Sequence, residues 1–138
     1  MSPRMFRHLI LPRYRRCMDL ARHRGIDVTW YDSDGDLRPL LPDLLSVGIN
    51  CPAPCEVAAG MAPTVLRGTY GRELRLIGGL DKREIARGKP AIQAELERNR
   101  AVIEEGGFMP AIDHSVSADI SLDSYRYFLE ALQEALQA

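Results

Sequence analysis

Glycines that close helical stretches recur at positions 25, 48 and 71, 23 residues apart each time, and each is followed by a short β-favouring run. Glycine at such a position takes the left-handed conformation that ends a helix. The runs that follow are Val28-Thr29-Trp30-Tyr31, Ile49-Asn50-Cys51-Pro52-Ala53-Pro54 closed by its prolines, and Leu74-Arg75-Leu76-Ile77. A helix-plus-strand unit this small cannot bury its own strand, so the units must stack into one sheet. After the helical stretch Pro90–Glu105 and Gly106-Gly107 comes a fourth run, Phe108-Met109-Pro110-Ala111-Ile112. Four strands alternating with helices imply a four-stranded parallel sheet with right-handed crossovers.

Between these strands the helices can be placed by their apolar spacing. Ser2-Pro3 reads as a cap followed by proline at the first helical position, and Met5, Phe6, Leu9, Ile10, Tyr14, Cys17, Met18 and Ala21 keep helical period. The pattern predicts one N-terminal helix of about 20 residues bent at Pro12 and stopped by Gly25. Further helices are expected over Leu37–Val47, Glu56–Tyr70, Pro90–Glu105 and Leu122–Leu136, the last capped by Ser121. With 138 residues, 46% of them hydrophobic, the chain suffices for a single domain. Two open sheet edges need covering, which predicts self-association or a partner chain.

Charge is unevenly spread. Residues 1–25 hold seven arginines against one acid, Asp19, while the remainder has 11 basic and 18 acidic residues. The arginines interleave with a regular apolar pattern, so they read as the solvated face of a helix docked on an acidic body, and no nucleic-acid partner is expected. No apolar run reaches eighteen residues, so no membrane span is expected either. Three cysteines, an odd number in a chain with no apolar leader, point to a reducing, cytoplasmic setting without a disulfide framework. Cys51 and Cys55 are spaced C-x₃-C, which is not the C-x₂-C of zinc knuckles or redox dithiols.

Chemistry is expected where Val28-Thr29-Trp30-Tyr31 runs into Asp32-Ser33-Asp34-Gly35-Asp36. Ligands of α/β sheets collect at the carboxyl ends of strands. Asp36 reads first as a cap for the helix that follows. Asp32 and Asp34 repel each other unless a cation, a donor or a proton relieves them. Other candidates sit at the ends of the later strands: Glu56, Gly79 and Asp81 in Gly78-Gly79-Leu80-Asp81-Lys82, and His114 in Asp113-His114, where Asp113 can serve to fix the imidazole tautomer. Glu56 can equally be the acid that suits the start of a helix. Trp30 and Tyr31 read as core or wall residues.

Six segments appear in order: Ser2-Pro3-x-Met5-Phe6, Asp32-Ser33-Asp34-Gly35-Asp36, Pro54-Cys55-Glu56-Val57-Ala58-Ala59-Gly60-Met61, Tyr70-Gly71, Gly78-Gly79-Leu80-Asp81-Lys82 and Gly106-Gly107-Phe108-Met109-Pro110-x-x-Asp113-His114. Together they resemble the C-terminal half of the uroporphyrinogen decarboxylase family, a superfamily of (β/α)₈ barrels that also holds cobalamin-dependent methyltransferases. The resemblance implies a four-stranded parallel half of a TIM barrel with an N-terminal helix. It also implies that His114 stands where the decarboxylases have a substrate-binding histidine and the methyltransferases their last zinc-binding cysteine, with Asp32 and Asp34 at the paired zinc-ligand positions. On that reading His114, Asp34 and Glu56 are catalytic, Asp81 and Gly79 bind substrate, and Asp32, Asp34 and His114 hold a divalent metal such as zinc. The expected activity is corrinoid-linked methyl transfer from or to a small methylated substrate, the corrinoid carried on a partner protein. Porphyrinogen decarboxylation and a non-catalytic half-barrel subunit are the alternatives, since the decarboxylases' arginines, essential aspartate and tyrosine belong to the absent N-terminal half.

Overall fold

Ser2 opens the fold as a cap: its hydroxyl accepts the Met5 N–H at 3.3 Å, and Pro3 starts α1 (Pro3–Leu9). The structure, a computed structural model, describes residues 2–137. The single bent helix expected here is two helices. Backbone turns at Ile10, and α2 (Leu11–His23) restarts with Pro12 in its first turn. There proline's missing N–H costs nothing, because the first turn has no acceptor for it. Gly25 follows with φ 70° and lets the chain reverse into β1 (Trp30–Asp32).

Next come α3 (Leu41–Val47), ended by Gly48, and β2 (Cys51–Ala53). The helix expected over Glu56–Tyr70 is a 3₁₀ turn, Val57–Ala59, halted by Gly60, and then α4 (Pro63–Tyr70) ended by Gly71. β3 is Leu76–Leu80, α5 Lys82–Ala86, α6 Lys89–Glu105, β4 Phe108–Ile112 and α7 Leu122–Gln137. Ser121 caps α7 as expected, its hydroxyl accepting the Ser124 N–H at 3.1 Å. The three helix-ending glycines therefore stand where the 23-residue repeat puts them.

The expected half-barrel with one four-stranded sheet is not what forms. Two separate two-stranded parallel sheets are present, β1 with β2 (Trp30 opposite Cys51, Asp32 opposite Ala53) and β3 with β4 (Leu76 opposite Phe108, Leu80 opposite Ile112). Prolines account for the break. β2 and β3 still lie side by side, with Arg75 N–H donating to Asn50 O at 2.8 Å and Gly79 N–H donating to Pro54 O at 2.9 Å. A parallel ladder needs return bonds from alternate residues of β2, and the residues due to donate them are Pro52 and Pro54, which have no N–H.

β3 also differs from expectation by taking Gly78 and Gly79 into the strand. A Cβ on Gly78 would lie 2.0 Å from Pro54 O, and one on Gly79 would lie 2.4 Å from Pro63 Cγ. These glycines are strand residues at places of close approach, Gly78 to the backbone after β2 and Gly79 to Pro63.

Two apolar clusters hold the elements. Phe6, Leu41, Leu44, Val47, Met61, Leu66 and Leu76 centre the first, which packs α1 to α4 onto β2 and the start of β3. Leu80, Ile85, Ile92, Phe128 and Leu132 centre the second, beneath α5, α6 and α7. At the amino ends of β3 and β4 the buried Arg67 ties the connections together, donating to Gly71 O at 3.0 Å and to Gly106 O at 2.9 Å. Among the described residues no helix is long and apolar enough to cross a membrane.

Candidate functional site

Asp34 lies two residues past β1 and His114 two residues past β4, so the loops that bear them leave the two outermost strands. They nonetheless meet: His114 Nε2 is 3.3 Å from Asp34 Oδ1. Both line a cleft of about 400 Å³ at the carboxyl ends of the strands, with Asp32, Trp30, Pro54, Gly78 and Ser115. Neither lysine nor arginine lines it, so the cleft is acidic on one wall and apolar on the floor.

Local bonds explain why Asp34 is presented there. Gly35, with φ 76°, makes the turn, and its N–H donates to Glu56 Oε2 at 2.9 Å. Glu56 thus steadies the Asp34 loop from the end of β2 and is not itself among the residues lining the cleft. Asp36 turns away to accept the Arg38 N–H at 3.0 Å and to pair with the Arg38 guanidinium, which holds its carboxyl below the usual range. That pairing caps the turn ahead of α3.

On the other side Asp113 positions His114 through the backbone and not through the ring. Its side chain is fully buried and points inward, accepting the Val57 N–H at 2.9 Å and the Lys82 N–H at 3.1 Å. Burial pushes its carboxyl up, the two N–H bonds notwithstanding. It is Asp34, and not Asp113, that stands beside the His114 ring.

Asp81 and Gly79 do not reach the cleft. Asp81 is buried as the cap of α5, accepting the Arg83 N–H at 2.9 Å and the Arg83 guanidinium at 2.6 Å. Burial alone would raise its carboxyl, but the Arg83 bonds outweigh it and hold the group low. Gly79 packs inward on Pro63 and Cys55. Cys55 is buried beside Cys51, and burial pushes its thiol up to about 12, far from thiolate chemistry.

Asp32, Asp34 and His114 share the cleft, yet among the described residues no three His, Cys, Asp or Glu side chains are arranged to hold one metal ion. Sequence reasoning missed Trp30 as a cleft residue: it is 64% exposed, not core. Its position two residues before Asp32 on one strand carried that signal, since alternate residues share a face. No model of a known family matches the chain, and no curated protein or solved structure does.

Proposed function

We propose that the chain binds a small methylated substrate in the cleft between Asp34 and His114 and takes part in methyl transfer of the corrinoid-linked type, with a corrinoid-bearing protein as partner. The observation that carries this reading is the 3.3 Å approach of Asp34 and His114 from loops at opposite ends of the strand array. A carboxylate beside an imidazole is placed to offset the charge that the ring gains when, as a general base, it takes a proton from an acceptor thiol. In that role His114 would take the acceptor thiol's proton as its sulfur forms the bond to the methyl carbon and the donor's bond to that carbon breaks, the electron pair staying with the donor; Asp34 would lie beside the imidazolium, and Trp30 with Pro54 and Gly78 gives the methylated end an apolar seat.

The six ordered segments support the family part of the reading, and three free cysteines suit the reducing, cytoplasmic setting that goes with it. Porphyrinogen decarboxylation is the weaker alternative, because a substrate with many carboxylates would meet Asp32 and Asp34 and no basic lining residue. The cleft is open on one side, so the reading includes self-association of the chain.

The test is to supply methylcobalamin and a small thiol and to follow loss of the methyl–cobalt bond by absorbance. The expected result is protein-dependent demethylation that falls about a hundredfold or more in His114→Ala, the general-base share of a barrier. Protein-independent rates, with uroporphyrinogen instead releasing CO₂, would overturn it.

A further inference from the structure

The large apolar side chains left exposed are not scattered. Between residues 31 and 108 Val65 is the only one among the described residues; the rest belong to the two ends of the strand array. At one end are Met5, Leu9 and Leu20 of the N-terminal helices with Val28 and Trp30 at β1. At the other are Met109 of β4, 65% exposed, and Leu122, Leu129 and Leu136 of α7. The last three recur every seventh residue, which lays a continuous apolar stripe along one side of that helix. Exposed patches of this kind mark contact surfaces.

The two ends are complementary in two further respects. Among the described residues β1 is paired only with β2 and β4 only with β3, so each end of the array presents an unpaired strand edge, and all four strands point the same way. Charge is opposite as well. Residues 2–24 carry seven arginines against Asp19, whereas the stretch from Asp119 onward carries Asp119, Asp123, Glu130 and Glu134 against Arg126. Two like ends would repel; unlike ends attract.

We infer that a second copy of this chain docks head to tail, setting the β4 edge and α7 of one copy against the β1 edge and α1–α2 of the other, twice over about a two-fold axis that runs along the strands. This rests on the self-association proposed above and names the surfaces that make it. An arrangement in which both unlike junctions form closes at two copies and leaves no edge for further growth. It also sets the partner across the open side of the cleft, beside Trp30.

Because Trp30 is the single tryptophan, its emission reports the junction directly. Sedimentation velocity on the full chain should give a dimer, with Trp30 emission shifting to the blue as concentration rises. Met109→Glu, a change at an exposed site, should leave a folded monomer by circular dichroism with Trp30 emission red-shifted at all concentrations. Charge reversal on either end alone, Arg15→Glu with Arg16→Glu or Glu130→Lys with Glu134→Lys, should weaken the dimer roughly tenfold or more. The two reversed chains mixed together should recover it, as should one chain carrying all four changes. A wild-type monomer overturns the inference, and so does a dimer that the variant with all four changes fails to restore, because the two charged ends then do not face each other across the junction. A dimer that forms as described but shows no demethylation of methylcobalamin upholds the interface and overturns the reading of the cleft.

Discussion

Around β1 and β2 the ladder is three residues long and the core beside it is built from aliphatic side chains and Phe6; around β3 and β4 the ladder is five residues long, and Asp81, Glu95 and Asp113 lie buried among the aliphatic groups. Each of those carboxylates has its own N–H donors. Asp113 takes Val57 and Lys82, Asp81 takes Arg83, and Glu95 accepts the Asp81 N–H at 3.2 Å while contacting Arg98 and Asn99. The first region is held by shape and the second by shape plus satisfied polar groups. They should therefore fail differently: the first to lost volume, the second to lost partners, with a dependence on pH that the first lacks.

The largest effect is expected at the place where the two regions touch. Gly78→Ala puts a Cβ onto Pro54 O, at φ 89°, and should cost more than about 4 kcal/mol or prevent folding. Gly107→Ala, also at positive φ but with its nearest neighbour at 3.6 Å, should cost about 1–2 kcal/mol, which separates the clash from the backbone effect. Both are read by urea denaturation.

Within the first region Leu44→Ala should lose about 2–5 kcal/mol, with the same loss at every pH. Within the second, Asp113→Ala leaves two N–H groups without acceptors and should lose about 2–4 kcal/mol. Its effect should depend on pH. Burial raises the Asp113 carboxyl, so the folded state holds that proton more tightly than the unfolded chain, and acidification from neutrality through the raised value relieves a cost. Asp81 has the opposite sign. Its carboxyl is held low, so the stability it lends is present above about pH 4 and is lost as pH falls through the folded value. Urea midpoints measured from neutral to acid pH should steepen in Asp113→Asn, which loses the compensating group, and flatten in Asp81→Asn. The smallest effect is expected for Arg7→Ala, under about 0.5 kcal/mol, because the Arg7–Asp43 pair at 2.8 Å is on the surface.

The same contrast explains how much could be read without coordinates. Periodicity and glycine punctuation are local signals, so the helix–strand order, Gly48 and Gly71 as helix ends, and Phe108–Ile112 as a strand were legible. Pairing is not local. The prolines at 52 and 54 were visible as strand closers, but their effect on bonding to β3 depends on which face of β2 meets that neighbour. At the site, the approach of Asp34 to His114 spans eighty residues and was legible only as two strand ends. Glu56 and Asp81 looked like ligand groups because carboxylates at strand ends serve as ligands and as caps alike, and only their partners, Gly35 N–H and Arg83, tell the two apart.

The missing donors at Pro52 and Pro54 have a mechanical consequence. Ala53, Pro54, Ile77 and Gly78 form the floor of the cleft, so a molecule resting there presses on the joint between two ladders and not on either ladder. Arg75 N–H to Asn50 O and Gly79 N–H to Pro54 O tie that joint where a full ladder would have return bonds as well, so the load falls where the fewest backbone bonds oppose it.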